Sequence, residues 1–507
     1  MSAHRSLRVL AALAACVPLT LAFLPAAAAP AAAAEADASG RPQANYTADP
    51  LPTVQINGVV WDQLIVGDVV YVVGSFSQAR PYGAPAGSQE TPRANMLAYR
   101  LSTGELIDGF APELNNAGRT LALSEDGRTL YVGGDFNKVN GEWHSGMAAF
   151  DISASTGTLI SSFHPQFQTT VRAIGVRGNT VYAGGAFKHV NGVKRLKAAA
   201  VSASTGETLS WDPQADGPNS QVWSLQVSPD GSKVALGGSF TTLGGSSNPG
   251  YGLALVSASD GTVLSTPVNS EVRNGGVYGA ITDLKTDGTS LYGTGYSYSV
   301  RNANLEGSFK ADWDGNMTWV EPCHGDSYAI YPTSDQVYIA SHTHSCETIG
   351  GFADTRYKDD NGATQLRQYR LTSFTNSGDV TVSKKGTNGY KDWSGFTSPA
   401  IVDWFPDLSA GTYTGMGQGA WDVTGNDQYI VAGGEFIFVD GKPQQGLTRF
   451  PKRGATKSHA PEGKAADLAA SISTPADGAV DVVLDSVTTS NGIDFTADGR
   501  FAYYNDT

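Results

Sequence analysis

Three things are scarce in this sequence: cysteine, positive charge and long apolar runs. Only three cysteines occur in 507 residues, and 34 lysines and arginines stand against 48 aspartates and glutamates, which gives a formal net charge of −14. An acidic surface of this kind opposes binding to nucleic acid or to anionic membranes. Beyond the first residues, no stretch of sequence is apolar for long enough to span a bilayer. We therefore predict a soluble, monomeric protein that does not bind nucleic acid and has no membrane span.

The one long apolar run lies near the N-terminus, at residues 9–24. Arg5 and Arg8 precede it, and an alanine-rich stretch at 26–34 follows with several small-residue cleavage sites. This order of charged, apolar and small residues is typical of a secretory signal peptide. We therefore assign residues 1–34 to a signal peptide and predict that the mature protein is secreted.

Two other interpretations of this segment stay open. One is a retained membrane anchor, although Pro18 and Pro25 interrupt the run and shorten it. The other is lipidation at Cys16, because Leu13-Ala14-Ala15-Cys16 resembles a bacterial lipobox, although the residues after it stay apolar. In the second case a lipid at Cys16 would anchor the exported protein.

Outside that segment only Cys323 and Cys346 remain. In a secreted protein such a pair is typical of a disulfide. Residues 327–331 and 337–341 read as two strands joined by a turn, and an antiparallel hairpin would bring the flanking cysteines together. A thiolate metal site needs more cysteines. We therefore predict a Cys323–Cys346 disulfide.

The most informative feature is an internal repeat. LYVGGDFNKVNG at 130–141 recurs as VYAGGAFKHVNG at 181–192, VALGGSFTTLGG at 234–245 and IVAGGEFIFVDG at 430–441, with weaker copies at 70–78, 291–299 and 337–345. We place the aromatic position of the repeat at Phe76, Phe136, Phe187, Phe240, Tyr296, His342 and Phe436. Tight turns separate the apolar runs of each unit, in line with the 60 glycines of the chain.

Four short strands in a unit of roughly 50 residues are typical of a propeller blade. Seven copies therefore predict an all-β fold, a seven-bladed β-propeller of four-stranded blades at residues 51–450. The longest gap between copies predicts an insertion near 351–405, too long for an ordinary blade loop. The last copy lacks a fourth strand, and the segment 35–50 would supply that strand near 48–50 and close the ring.

These units resemble the delta-60 repeat family of actinobacterial secreted propellers, whose repeat reads GGxFxxVNG followed by an apolar strand and a turn. The resemblance covers residues of about 51–450 and is specific in four or five of the seven copies. It implies a propeller fold and an extracellular location. It implies no established catalytic residue.

The C-terminal part differs in composition from the repeats. Residues 451–478 are rich in Ala, Lys, Pro and Ser and predict a flexible linker. The segment 477–507 is similar to the gluconolactonase/regucalcin family of metal-dependent propeller esterases, which implies that Asn491 matches a metal-ligating asparagine. The other ligands of that family have no match here, and one neutral oxygen does not hold a hard cation. We therefore expect 479–507 to be a β-hairpin fragment.

A candidate ligand site lies where the strands converge on the central channel. Counting 15 to 17 residues back from each repeat aromatic, and 14 for one of them, gives an equivalent position in each blade. These positions hold Trp61 and Asp62, Arg172, Trp223, Tyr328, and Trp421 and Asp422. Aromatic faces with a few charges suit a sugar or another polar small molecule. The alternative is that these side chains only pack between blades.

A second candidate site surrounds the predicted disulfide. His342 and His344 share one strand face, and the disulfide would bring His324 and Asp326 close to them. Imidazoles with a carboxylate are ligands for zinc or another divalent metal, and calcium is the other metal we consider. The alternative is a hydrogen-bonded polar surface around the disulfide.

Two functions are open at this point. The first is a secreted, non-catalytic module that binds an extracellular carbohydrate, cell-wall or protein ligand. The second is a metal-dependent hydrolase of the lactonase type, or a lyase, using the histidine cluster. Because the sequence has no serine-hydrolase elbow, zinc-protease helix, phosphate loop or dinucleotide fingerprint, we favour the first, with no required cofactor.

Overall fold

The computed structural model describes residues 41–154, 156–298, 303–358, 363–383 and 390–453, together with the backbone of four short strands after residue 470. These residues belong to one compact unit, 36–507. The predicted signal peptide, Cys16 and most of the predicted linker lie outside the described residues. Within the described ranges, no helix is long and apolar enough to cross a membrane.

Apart from one three-stranded sheet of two- and three-residue strands, seven antiparallel sheets of three or four strands follow one another along the described chain. Sheets 1 to 4 are formed in turn by Val59–Val66, Val69–Ser75 and Met96–Arg100; by Gly118–Leu123, Thr129–Gly134, Met147–Asp151 and Thr158–Leu159; by Val171–Arg177, Thr180–Gly185 and Ala198–Ser202; and by Val222–Val227, Lys233–Gly238 and Leu253–Ser257. Sheets 5 to 7 are formed by Gly279–Thr286, Leu291–Ser297, Gly307–Ala311 and Met317–Glu321; by Ser327–Pro332, Gln336–Thr343, Tyr369–Thr375 and Ile401–Val402; and by Ala420–Gly425, Tyr429–Gly434 and Leu447–Pro451.

Smaller elements connect these sheets. Among them are the α-helix Val268–Glu271 and the 3₁₀-helix Glu347–Ile349. The short paired strands are Gln55–Ile56, Gln78–Arg80 and Thr91–Pro92; Lys138–Val139 and Glu142–Trp143; His189–Val190 and Val193–Lys194; Ala215–Asp216 and Thr242–Leu243; Arg356–Lys358 and Thr364–Leu366; Val380–Thr381 and Thr397–Ser398; and Phe438–Val439 and Lys442–Pro443. After residue 470, Ser471–Ser473 pairs with Asp481–Val483, and Ser490–Phe495 with Phe501–Asp506.

The first two strands of a sheet form a tight hairpin. In sheet 1 the runs Val59–Val66 and Val69–Ser75 are rich in valine, which favours strands, and Gly67 between them has a φ of 58°. In sheet 2 the equivalent turn has Gly127 at a φ of 73°. Glycine adopts this positive φ without steric cost, so the turn dipeptides of the sequence fix where the hairpins form.

The sheets are arranged in a ring. The first strand of each sheet contacts the first strand of the next sheet, and the first strand of sheet 7 contacts that of sheet 1. The first strands therefore surround a central cavity. All-β sheets radiating in this way from a common axis form a β-propeller.

An aromatic pair within one unit recurs at the junction with the next sheet, where Trp211 Nε1 donates to Ser257 O of sheet 4 at 2.9 Å. Tyr71 meets Phe110 edge to face with ring centroids 5.0 Å apart, and Tyr182 meets Trp211 in the same way at 5.1 Å. Phe110 and Trp211 are the aromatic residues that precede x-Pro at the end of their units, and both are buried. The glycine pairs of the repeat allow this close packing, because a Cβ on Gly133 would lie 2.8 Å from Val171 of the next sheet.

The N-terminal segment pairs with the last strand of sheet 7. Leu51 N–H donates to Arg449 O at 2.8 Å, and Thr47 N–H donates to Pro451 O at 2.8 Å. The buried Arg449 side chain donates to Thr53 Oγ1 at 3.2 Å and to the carbonyl oxygens of Pro52 and Leu101. Residues 46–53 thus join sheet 7 to sheet 1, which is where the sequence predicted ring closure.

Sheet 6 corrects the bounds of the predicted insertion at 351–405. Tyr369–Thr375 pairs with Gln336–Thr343 as the third strand of this sheet, and Ile401–Val402 is the fourth. The additional chain therefore lies before and between these strands. The predicted insertion was too wide because the glycine repeat marks only the second strand of a unit and gives no signal for the third.

The predicted disulfide is confirmed. Cys323 and Cys346 are bonded and both are buried. They flank the hairpin of Ser327–Pro332 and Gln336–Thr343, as expected from the sequence.

Candidate functional site

The first strand of every sheet contains a β-bulge at an equivalent position. The strand register with its neighbour skips one residue in each case, and a bulge turns the skipped side chain out of the regular alternation. We call the skipped residues the bulge residues: Trp61, Arg119, Arg172, Trp223, Thr282, Tyr328 and Trp421. All seven line a central cavity of about 270 Å³.

The structure brings together every residue predicted for the channel. Five of them are bulge residues, and Asp62 and Asp422 follow a bulge residue directly and also line the cavity. The sequence analysis missed Arg119, although it lies 17 residues before Phe136 and the same spacing rule contained it. It also missed Thr282, which has neither an aromatic ring nor a charge to mark it.

Aromatic rings cover one side of the cavity. Trp421 lies between Tyr328 and Trp61, with ring centroids 4.5 and 5.3 Å away. Arg119 extends this row, with its guanidinium carbon 4.6 Å from the centroid of Trp61. Sheets 6, 7, 1 and 2 thus place three aromatic rings and one guanidinium in contact along the cavity wall.

The opposite side holds a second, shorter row. The guanidinium carbon of Arg172 lies 5.5 Å from the ring centroid of Trp223, and Trp223 lies 5.7 Å from Tyr296. Burial lowers the pKa of Arg172 to about 10, with repulsion from Arg119 as a smaller cause. Arg172 therefore remains a cation at neutral pH.

A second ring of residues flanks the bulges. One residue of the second strand, or just after it, lies beside each bulge and follows the bulge residue by 14 or 16 positions. We call these the flanking residues: Ser75, Asp135, Ala186, Ser239, Tyr296, His342 and Glu435. This register also corrects the repeat alignment, because Tyr296 and His342 occupy the flanking position and not that of the buried phenylalanines.

Three flanking residues bind the bulge residue of their own sheet. Asp135 Oδ2 accepts from Arg119 Nη2 at 2.7 Å and from its Nε at 2.8 Å. Glu435 Oε1 accepts from Trp421 Nε1 at 3.1 Å. His342 Nδ1 lies 2.7 Å from the hydroxyl of Tyr328. In these sheets the protein itself satisfies the polar group of the bulge residue.

Three other polar atoms of the bulge ring are left without a partner. Trp61 Nε1, Trp223 Nε1 and Arg172 Nε are buried and have no hydrogen-bond partner among the described residues. All three are donors. A buried donor without an acceptor is costly, so the described residues alone do not satisfy the polar groups of the bulge ring.

The carboxylates near the cavity, in contrast, are engaged in holding the sheets together. Asp62 Oδ2 accepts from Leu121 N–H of the next sheet at 2.7 Å, and Asp422 Oδ2 accepts from Gln63 Nε2 of the next sheet at 3.1 Å. Burial raises the pKa of Asp62 to about 6 and raises that of Asp422 well above its usual range. Asp62 and Asp422, which the sequence predicted as ligand residues, therefore join neighbouring sheets through their hydrogen bonds.

Asp283 in sheet 5 also follows a bulge residue directly and also binds the next sheet. Its Oδ2 accepts from Ile330 N–H of the next sheet at 3.1 Å, and Lys285 Nζ lies 3.7 Å from its Oδ1. Attraction to Asp283 raises the pKa of Lys285 above its usual value. The three aspartates of the cavity thus face donors and a lysine of their own protein, and sequence analysis singled out neither Asp283 nor Lys285.

The histidines near the disulfide are used separately. His342 Nε2 accepts from the Asp326 backbone N–H at 3.1 Å, and burial lowers the pKa of His342 to about 4. His344 Nδ1 lies 2.8 Å from Asp354 Oδ1, and the His324 ring stacks on Tyr390 with centroids 3.8 Å apart. Neutral His342 thus orients Tyr328 in the cavity wall and has both ring nitrogens engaged.

These contacts do not assemble the predicted metal ligands. Among the described residues, the donor atoms of His324, Asp326, His342 and His344 do not come together as a group of three. The one such group there is Glu321, Cys323 and Cys346, and its two sulfurs form the disulfide. Asn491 lies in the strand Ser490–Phe495, whose side chains are not among those described.

Comparison with family models and with curated proteins finds no match. Among solved structures, the computationally designed Ika8 protein is similar at 12% identity and a TM-score of 0.41, over 79% of this chain and 98% of that one. The Myceliophteria thermophila Cps50 (Swd1) beta-propeller domain matches at 10% identity and 0.43, over 79% and 99%. BamB from Moraxella catarrhalis matches at 11% identity and 0.36, over 80% and 100%.

Proposed function

We propose that this chain is a secreted, seven-bladed β-propeller of the delta-60 repeat type that binds a small carbohydrate in its central cavity. The seven sheets are the blades, and the ligand is a free sugar or one unit of an extracellular or cell-wall polymer. The proposal makes the protein a binding module and not an enzyme. The single observation that carries it is the bulge ring, which directs aromatic and cationic side chains from six of the seven sheets, and Thr282 from sheet 5, into one cavity.

The dimensions and chemistry of the cavity support a sugar. Its volume of about 270 Å³ lies just below the roughly 300–1,000 Å³ of small-molecule sites, so it suits one ring and not a protein segment. Tryptophan and tyrosine faces pack against the apolar face of a sugar. The guanidinium of Arg172, which lines the cavity, would donate to its oxygens.

Secretion is supported by the N-terminal sequence and by the disulfide. The charged, apolar and small-residue order at 1–34 is that of an export signal. A buried disulfide such as Cys323–Cys346 forms and persists in oxidising compartments. The alternative of a metal-dependent hydrolase or lyase is less favoured, because the predicted ligands His324, Asp326, His342 and His344 do not form a group of three donor atoms among the described residues.

Titration of the purified mature protein with neutral and acidic monosaccharides and with soluble cell-wall fragments tests the proposal. We expect a ligand to change the tryptophan fluorescence, because Trp61, Trp223 and Trp421 lie at the cavity. Trp61→Ala should weaken binding, whereas Trp143→Ala, at an exposed hairpin away from the cavity lining, should not. If no member of the panel binds, or if Trp143→Ala alone removes binding, the cavity is not a carbohydrate site.

A further inference from the structure

We infer that the ligand of the central cavity carries an anionic group, a carboxylate or a phosphate, and that Arg172 binds this group. The inference rests on the proposed function, because it names the charge of the ligand at the same site. It makes Arg172 the residue that selects acidic sugars over neutral ones.

Two equivalent arginines in neighbouring sheets carry the argument. Arg119 and Arg172 are both bulge residues, and both line the cavity. The carboxylate of Asp135 lies against the guanidinium of Arg119 and also accepts from Thr170 Oγ1 at 2.6 Å. Arg119 is thereby neutralised within the protein.

Arg172 has no such partner because its flanking residue is Ala186. A methyl group stands where sheet 2 has a carboxylate, and no described carboxylate forms an ion pair with Arg172. Asp135 attracts the guanidinium of Arg172, but its carboxylate is already bound to Arg119, and burial still lowers the pKa of Arg172 on balance. A buried guanidinium whose desolvation is only partly repaid is unfavourable. The site is therefore completed by an anion that comes from outside the chain.

The aspartates of the cavity do not supply that charge. The carboxylates of Asp62 and Asp283 accept from backbone N–H groups of the next sheet, and Asp422 accepts from Gln63. Lys285 is the cation that attracts them. The bulge ring thus has N–H donors without a partner, whereas the carboxylates of the three aspartates have partners.

The geometry also orients the anion. Trp223 lies beneath the guanidinium of Arg172, so the edge of the guanidinium is left for a carboxylate or phosphate, which Arg binds in its plane. A sugar ring held this way would face the aromatic row of Tyr328, Trp421 and Trp61 across the cavity. A hexuronic acid or a sugar phosphate combines both features.

Calorimetric titration with glucose, glucuronate, glucose 6-phosphate and inorganic phosphate tests this. We expect at least one acidic sugar to bind about tenfold or more tightly than glucose, as for a charge-assisted hydrogen bond, and to lose affinity with added salt. The acidic sugar that binds better identifies the carboxylate or the phosphate as the group recognised. Phosphate alone should bind weakly, because it has no sugar ring for the aromatic row.

Two variants change the charge of the site in opposite ways. Arg172→Gln removes the cation, and Ala186→Asp supplies the internal partner that sheet 2 has; both should reduce the preference for the acidic sugar to about the level of glucose. Arg177→Gln is the matched control, because Arg177 ends the same strand, is half exposed and pairs with Glu125 at 2.7 Å. If Arg172→Gln does not fold, Ala186→Asp and the salt dependence of the wild type still decide.

The outcomes separate the two proposals. Equal binding of glucose and the acidic sugars, unchanged in Arg172→Gln, would overturn the anion site and leave the carbohydrate site standing. Binding of phosphate as tightly as glucose 6-phosphate would mean an adventitious ion only. Absence of binding by every sugar would overturn both.

Discussion

The contacts between sheets and the residues around the cavity follow opposite rules. At the interfaces the same kind of pair recurs, such as Tyr71 with Phe110 and Tyr182 with Trp211. Around the cavity the backbone recurs, because every first strand has its bulge, but the side chain differs from Trp to Arg to Thr. Packing requires uniformity, whereas recognition of an asymmetric ligand requires different groups on different sides. Repetition therefore marks the fold, and departure from repetition marks the site.

The largest effect on stability is expected at an interface. Trp211→Ala removes a buried ring that packs on Tyr182 and donates from Nε1 to Ser257 O at 2.9 Å. We expect a loss of about 3–5 kcal/mol in the free energy of unfolding, as for large-to-small core changes. Urea denaturation measures it, with exposed Trp143→Ala as the control. Equal midpoints for the two variants would contradict a fold carried by the interfaces.

Ring closure should come next. Arg449→Met keeps an unbranched apolar stem but removes the guanidinium, which leaves the carbonyls of Pro52 and Leu101 without their donor, at about 1–3 kcal/mol for each buried group. We also expect faster amide exchange at 46–53 than in the wild type, with sheets 3 and 4 unchanged. Uniform loss of protection around the whole ring would show that Arg449 does not act on closure in particular.

The disulfide should have a smaller, local effect. Its cysteines are 23 positions apart, and the loss of loop-closure entropy for such a loop gives about 3 kcal/mol or less. The Cys323→Ser, Cys346→Ser double variant should therefore have a lower melting temperature than the wild type and faster amide hydrogen exchange in sheet 6. If both cysteines of the secreted wild type alkylate without reductant, the bond is absent from the native protein.

The pH dependence of stability distinguishes the cavity aspartates from the interfaces. Burial places the pKa of Asp62 at about 6 in the folded chain, above the usual value of about 3.9. The folded state therefore holds a proton that the unfolded chain has lost, and stability falls as the pH rises from about 4 to 6. Asp62→Asn should remove this part of the slope. A wild type and variant with parallel pH profiles would contradict it.

The smallest change in stability is expected at a bulge. Trp61→Phe removes an N–H that has no partner among the described residues, so it should cost about 1 kcal/mol or less. Ligand affinity should nevertheless fall. A stability loss as large as that of Trp211→Ala would remove the distinction between the site and the interfaces.

The glycine repeat carried the fold prediction, and it also explains what was missed. Copies of GGxF fix the second strand and its turn, so the sheets and most channel residues followed from spacing. The third strand of sheet 6, Tyr369–Thr375, has no such marker and was included in an insertion. The bulge was also invisible in the sequence, because a skipped residue changes pairing and not composition; without it, Tyr296 and His342 were aligned with buried phenylalanines.

The sequence does contain a signal for which arginine of the cavity has an ion-pair partner. The variable residue of GGxF is Asp135 in sheet 2 and Ala186 in sheet 3, each beside an arginine of the first strand. The residue at this position thus distinguishes Arg119, which has a carboxylate beside it, from Arg172, which does not. The sequence held no such signal for the histidine cluster. His342 and His344 have separate hydrogen-bond partners, namely Tyr328 and a backbone N–H for His342 and Asp354 for His344, and these contacts cannot be seen in the spacing.

A structure of the protein with the tightest-binding sugar of the panel tests the central claim most directly. The account predicts the sugar inside the bulge ring, between the row of Tyr328, Trp421 and Trp61 and the pair of Arg172 and Trp223, with no contact to the interface aromatics. A sugar bound on the outer hairpins or near the disulfide, with the bulge ring unchanged, would contradict it.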